Sequence, residues 1–247
     1  MDSILDLDGT ICFGGNPVSE PIVHALEKVQ SVGHHVIFSS ARPIRDMLPV
    51  LDKRLHHCTM IGGNGSLIFQ DGKMRSAAFR EDQRKHLMRL IEKYEATYLI
   101  DGEWDYSYRG PEGHPVLNYV DALNLARNVP VEDHPFIVKL LIITANNVEQ
   151  LVFELKGMDV AVHRYQNDPI VDISPQNTDK YTALKQLGIQ NGHYIAFGND
   201  TNDVTMFQGA AHTHRGLGKY ASERIALNGD FEREIASKLL WLSLQHR

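Results

Sequence analysis

Two aspartates, Asp6 and Asp8, flank a single leucine and are followed at once by Gly9 and Thr10. An apolar pair, Ile4-Leu5, runs into them, so the stretch reads as a strand over 3–7 that ends in a tight turn. Along an extended backbone, residues two apart share a face, which brings the two carboxylates together. Carboxylates so placed repel unless a divalent cation or a shared proton offsets them. Gly9 allows the chain to turn sharply, and Thr10 adds a hydroxyl and a backbone N–H. A carboxylate nucleophile, a carboxylic acid and a hard-cation site within five residues are the equipment for phosphoryl transfer through an acyl phosphate.

Three later stretches carry matching chemistry. Ser40 and Arg42 follow a short apolar run, Val36-Ile37-Phe38. Lys180 opens a helical pattern. Asn199-Asp200-Thr201-Asn202-Asp203 follows another apolar run, 193–197. Singly, each has an ordinary explanation: a helix cap, a surface charge, a solvated lysine, a polar turn. Together they supply acids for a cation, donors for phosphate oxygens and a lysine to neutralise charge, which is what a phosphoryl group in transfer needs.

The elements that must position these residues follow from periodicity. Ser19 reads as an N-cap, with Glu20 and Pro21 in the first turn and Gly33 just past the end of a helix. Pro49 is expected to shorten a second helical pattern that runs through Met47 and Leu55. Thr59-Met60-Ile61 is a third strand, and Gln70-Asp71-Gly72-Lys73 joins two more as a hairpin. Strand–helix–strand–helix–strand with apolar strands argues a parallel sheet covered on both faces. From about 79 to 172 the rhythm changes. A charged helix over 80–94, strands near 97–101 and 104–108, a polar loop, a strand over 136–144, a helix over 147–156 and strands near 158–163 and 169–173 describe an α+β module inserted into the parallel domain. The first rhythm then returns and ends in an amphipathic helix over 231–244. Residues 210–219 read as polar and irregular. The expected fold class is therefore α/β, with a discontinuous core domain over 1–78 and 173–247 and an inserted domain over 79–172.

At 247 residues, 43% hydrophobic and 23% charged, the composition is that of an ordinary globular protein. A net charge of −6 offers no basic footprint for nucleic acid, and no apolar run approaches a membrane span. Cys12 and Cys58 lack a metal-type spacing, and no signal peptide is visible. Reduced thiols and a cytoplasmic location are expected.

In their order along the chain, Asp6-Leu7-Asp8-Gly9-Thr10, Ser40-Ala41-Arg42-Pro43, Lys180 and Gly198-Asn199-Asp200-Thr201-Asn202-Asp203 resemble the four motifs of the haloacid-dehalogenase (HAD) superfamily. The inserted module, and Gly63-Asn64-Gly65 before a hairpin, are similar to the Cof-type phosphatases of subfamily IIB. The resemblance implies a Rossmann-like HAD core with an inserted C2B cap, and an Mg²⁺-dependent phosphatase acting on a small phosphorylated metabolite, with sugar phosphates the usual class. It implies that Asp6 is the nucleophile and that Asp8 protonates the leaving alcohol, then activates water. Thr10, Ser40, Arg42, Lys180 and Asn202 would bind or orient the phosphate. Mg²⁺ would sit on Asp6 and the backbone carbonyl of Asp8, and Asp203 would support the metal or Lys180. The cap would close over the phosphate and choose the rest of the substrate, with Trp104, Tyr106, Tyr108, Arg109 and Lys139 as candidate contacts. A monomer or homodimer is expected. A phosphomutase-like transferase and a non-catalytic phosphometabolite sensor are the rival readings.

The sequence departs from the family pattern at three places. Ser40-Ala41-Arg42 replaces the usual Thr-Gly-Arg and keeps the hydroxyl. The fourth motif opens Gly-Asn rather than Gly-Asp, so either Asn199 ligates the metal or Asp200 has taken over. Residues 210–219 lack the apolar strand often found after that motif, so the last sheet strand is expected to be short or absent.

Overall fold

The computed structural model describes residues 1–164, 170–215 and 230–245. The chain divides into two compact units, Met1–Lys73 with Asp179–Arg247, and Met74–Thr178. These divisions fall a few residues from 78/79 and 172/173.

The first unit is built on a seven-stranded sheet. Its strands are β1 (Asp2–Leu5), β2 (His35–Ser39), β3 (Thr59–Gly62), β4 (Leu67–Gln70), β11 (Tyr194–Gly198) and β12 (His212–Arg215), with β5 (Lys73–Ser76) beginning at the boundary residue Lys73. The order across the sheet is β12-β11-β1-β2-β3-β4-β5. β1 lies between β2 and β11 and is parallel to both, while β4 runs antiparallel to β3. Such strands are covered on both faces, which is why they read as unbroken apolar runs: Ile4, Leu5, Phe38, Ala196 and Phe197 are all buried. The chain leaves β1 toward β2 on one side and returns to pair with it through β11 on the other. The carboxyl end of β1 is thus the topological switch point, where ligands bind in open sheets of this kind.

Helix α1 (Glu20–Ser31) buries Ile22, Ala25, Leu26 and Val29, four of five apolar residues at helical spacing; the fifth, Val32, is the half-buried C-cap. Ser19 stands at its N-cap, but its hydroxyl makes no capping bond; the Ser19 carbonyl accepts from Ile22 and Val23 instead. Beyond Pro49 no regular α-helix continues: α2 (Ile44–Met47) is short and a single 3-10 turn, Lys53–Leu55, follows. In the β4–β5 hairpin Asp71 and Gly72 both take positive φ, 51° and 73°, the requirement of a two-residue turn that matches strand twist. The final helix, α6 (Asp230–Gln245), buries Ile235 and Leu239.

Residues 210–219 are not irregular throughout. His212–Arg215 form β12, a parallel edge strand paired with β11 from Ile195↔His212 to Gly198↔Arg215, so the last strand is short rather than absent. An edge strand needs backbone donors and acceptors on one side only, and polar side chains suit its open side. Apolar pattern was therefore the wrong signal for it, while the Phe197 and His214 rings, 5.6 Å apart, still pack edge to face. Residues 216–219, which belong to the same polar stretch, lie outside the described residues.

The second unit is a five-stranded sheet in the order β7-β6-β8-β10-β9, from β6 (Thr97–Asp101), β7 (Tyr106–Arg109), β8 (Lys139–Thr144), β9 (Val160–Arg164) and β10 (Val171–Pro175). Its helices are α3 (Glu81–Lys93) and α4 (Val148–Leu155). Leu87, Leu90, Ile91, Leu151 and Leu155 share a core with Ile100, Leu140, Ile142, Val171 and Ile173 from the sheet. Lys139 does not face solvent, as a half-exposed strand would place it; it is buried and pairs with buried Asp172 at 3.0 Å. The Trp104 indole donates to the Leu125 carbonyl at 2.7 Å. Among the described residues no helix is long and apolar enough to cross a membrane.

Candidate active site

Every motif residue lies in the first unit, at or beside the carboxyl ends of β1, β2 and β11. Asp6 leaves β1 with its backbone N–H donating to the Phe197 carbonyl of β11 at 2.9 Å, so the sheet fixes where its side chain starts. The next turn is tight: the N–H groups of Thr10, Ile11 and Cys12 all donate to the Leu7 carbonyl. Gly9 takes φ +76°, and a Cβ built on it would lie 2.1 Å from the Asn199 amide nitrogen. Glycine is needed there both for the turn and for the approach of the β11 loop.

The Asp6 carboxylate is buried and held on both oxygens. Lys180 Nζ donates to Oδ1 at 2.6 Å and the Thr10 hydroxyl to Oδ2 at 3.0 Å. Burial pushes the Asp6 carboxyl up to about 7; the Lys180 charge opposes this, and the neighbouring Asp203 and Asp8 charges add to it. Lys180 opens α5 (Lys180–Gln186), whose N-cap Asp179 accepts from Thr182 N–H. The ammonium is fully buried. Burial alone would lower its pKa, but the carboxylates of Asp6 and Asp203 outweigh it and hold the lysine above its ordinary range.

Asp203 organises the third loop. Its Oδ1 accepts from Lys180 at 2.7 Å, and its Oδ2 accepts from the N–H groups of Asn199 and Asp200 at 2.8 and 3.0 Å. Asp203 thus meets Lys180 directly, one of the two supports its position allowed. The Asn199 amide lies over the first turn and accepts from the Thr10 hydroxyl at 3.3 Å. Asp200 is not brought to Asp6 or Asp8 by any bond described: it is exposed, and its carboxylate caps its own loop through Thr201 N–H at 2.6 Å.

The second loop contributes Ser40, whose hydroxyl is buried and accepts from Arg42 N–H at 3.1 Å. The Arg42 guanidinium forks onto Asp8, Nε to Oδ2 at 2.8 Å and Nη2 to Oδ1 at 2.6 Å. Asn64 has no role that its residue type alone indicates. It is buried at φ 56°, donates its N–H to the Ser40 carbonyl at 3.1 Å and accepts from the Asn202 amide at 3.1 Å. It ties the second loop to the fourth motif; the flanking glycines, Gly63 and Gly65, were the available signal, since a left-handed asparagine between glycines marks a shaped loop. Gly65 itself sits at φ +101° against α5: an added Cβ would meet the Asp179 carbonyl oxygen at 2.4 Å. Gly65→Ala is expected to cost about 2 kcal/mol or more and to displace the start of α5 that carries Lys180. Urea unfolding checks this, and an unchanged midpoint would refute the close approach.

Two carboxylates, Asp6 and Asp203, thus share one buried ammonium, while Asp8 pairs with Arg42 at the rim. Among the described residues no group of three or more His, Cys, Asp or Glu side chains converges as a self-sufficient metal cage. Mg²⁺ needs no such cage, because one or two carboxylates with water and substrate oxygens suffice. The surplus of negative charge at Asp6, and the Asn199 amide beside it, fit a site of that kind.

The sequence model of the haloacid dehalogenase-like hydrolases matches residues 3–214. The chain is 24% identical over 231 residues to the 5-amino-6-(5-phospho-D-ribitylamino)uracil phosphatase YitU of Bacillus subtilis (strain 168), covering 83% of this chain and 82% of that one. Its fold is similar to that of the HAD subclass IIB sugar phosphatase BT4131, with a TM-score of 0.74 at 17% identity over 96% of this chain and 99% of the other. It is also similar to TM0651 from Thermotoga maritima, with a TM-score of 0.67 at 21% identity over 86% and 84%. With its motif stretches gathered at or beside the carboxyl ends of parallel strands and a family match over most of its length, the chain belongs to the haloacid dehalogenase-like hydrolases.

Proposed function

We propose that this protein is an Mg²⁺-dependent phosphatase that hydrolyses small phosphomonoesters through an aspartyl phosphate on Asp6. The observation that carries the reading is the Asp6 carboxylate, buried at the switch point and aligned by Lys180 on one oxygen and Thr10 on the other. Asp6 attacks phosphorus, and the bond to the leaving oxygen breaks as Asp8 gives that oxygen a proton. Asp8 then takes a proton from water, which attacks the aspartyl phosphate and frees Asp6. Thr10 and Lys180, which touch Asp6, and Ser40 and Asn202 from the other two loops would be the donors for the phosphate oxygens. Asp6, Asp8 and Asn199 would hold Mg²⁺, which would shield the phosphate charge from an anionic nucleophile.

The relatives' names support a substrate class. One is a sugar phosphatase, and another acts on a phosphorylated ribityl compound. A phosphorylated sugar or sugar alcohol is therefore the class to test first. Phosphate release from a panel of such esters, with p-nitrophenyl phosphate as reference, decides the matter. Release is expected with Mg²⁺, falling at least about tenfold in EDTA and returning when Mg²⁺ is restored. No release from any ester with any divalent cation would sink the reading and leave the sensor alternative standing; a phosphate moved within the substrate rather than freed would make the protein a mutase.

A further inference from the structure

We propose that Arg42 is the positioning residue of the acid–base carboxylate Asp8, and not a ligand of the substrate phosphate. The proposal rests on the phosphatase reading above. The guanidinium meets Asp8 edge to edge, with Nε on Oδ2 at 2.8 Å and Nη2 on Oδ1 at 2.6 Å, across 34 residues of sequence. A planar fork on both oxygens fixes the direction of a carboxyl group as well as its charge. The need for such a device is visible in the burial: the Asp8 side chain is 50% exposed, whereas that of Arg42 is 13% exposed. Asp8 lies on the open side of a turn, where an unassisted side chain would be free to rotate away.

Arg42 is itself anchored. Its N–H donates to the Ser40 hydroxyl, and its Nη1 donates to the Asp46 carbonyl at 3.3 Å. Asp46 in turn is forked by the next buried guanidinium, Arg45, at 2.9 and 3.0 Å. That pair is enclosed, with Arg45 among the largest fully buried side chains of the protein, so α2 gives Arg42 a fixed base. A support therefore runs from the Arg45–Asp46 pair through Arg42 to Asp8. Each carboxyl oxygen has two lone pairs, and the fork takes one on each. The remaining positions can carry the proton that passes to the leaving oxygen as the P–O bond breaks and its electron pair goes to that oxygen. The same positions can accept the proton of water in the second half.

A series of substituted phenyl phosphates, from p-nitrophenyl to unsubstituted phenyl, separates this role from phosphate binding. kcat/KM on such esters reports events up to departure of the phenol, and a good leaving group such as p-nitrophenolate needs little help from an acid. Arg42→Ala is expected to lose about tenfold to 10²-fold more on phenyl phosphate than on p-nitrophenyl phosphate, steepening the dependence on leaving-group basicity. Arg42→Lys should show the same steepening, because an ammonium keeps the charge but cannot fork. In an Asp8→Asn background the extra loss should vanish, since there is no acid left to position. Parallel losses across the series in both Arg42 variants, with the Lys variant melting like the wild type, would overturn the proposal and return Arg42 to the phosphate. A wild type that releases no phosphate at all would overturn the phosphatase reading and this one with it.

Discussion

Asp6→Asn abolishes turnover, by at least about 10⁴-fold, while the protein stays folded. The amide has the shape of the carboxylate but no charge with which to attack phosphorus, and it cannot form the acyl phosphate. The Lys180 ammonium keeps Asp203 as partner, at 2.7 Å, so the change does not strand a buried cation. The same variant also tests the electrostatics. In the folded, metal-free protein the Asp6 carboxyl is pushed up to about 7 from an ordinary value of 3.8, with burial the leading cause. The folded state therefore binds this proton more tightly than the unfolded chain. The stabilisation it confers is full below pH 4 and is lost as the pH rises through about 7. Wild type in EDTA should become less stable across that window, and Asp6→Asn should lack this component. Urea unfolding at pH 5 and pH 8 measures both curves. Parallel curves would refute the assignment of the shift to Asp6, and a variant with wild-type phosphate release would refute its role as nucleophile.

Lys180→Met is the second large effect, and here stability carries it. The methionine fills a similar volume but removes the charge that sits at 2.6 and 2.7 Å from two buried carboxylates. Breaking a buried ion pair by removing one partner typically costs about 3–5 kcal/mol, because the other charge is left uncompensated. Here two carboxylates are left facing each other. Without the ammonium the affinity of Asp6 for a proton rises further in the folded state, so the loss is largest at pH 8 and is relieved at pH 5, where Asp6 is protonated. Phosphate release should fall as well, since the phosphate loses a cation. Equal destabilisation at both pH values would show that packing, and not charge balance, is what Lys180 supplies.

These two substitutions act where sequence and structure agree most closely, and the agreement has a cause. Asp6, Asp8, Lys180 and Asp203 are charged groups whose chemistry is the same wherever they stand, and their order along the chain already named the set. The apolar strands were legible for a similar reason. Strands buried on both faces leave continuous runs such as Val36-Ile37-Phe38, and the spacing of Ile22, Ala25, Leu26 and Val29 fixes one helix face. β12 was not legible, because an edge strand is made by backbone pairing with β11 that polar residues such as His212 and Thr213 satisfy equally well. Ser19 shows the converse: a residue type suited to capping stood at the right position, yet its hydroxyl caps nothing.

The sequence alone determined which residues could transfer a phosphoryl group, and in which order of elements they would be found. Tertiary structure decided what each residue touches. It gave Lys180 to both Asp6 and Asp203, placed Asn199 over Gly9 while Asp200 turned to cap its own loop, and set Asn64 between Ser40 and Asn202. It also turned Arg42 onto Asp8 and buried Lys139 against Asp172. Spacing along a chain fixes side-chain direction only within one strand or one helix turn. Partners 34, 138 or 174 residues apart are chosen by sheet order and by the need to neutralise buried charge, which exist only once the chain has folded.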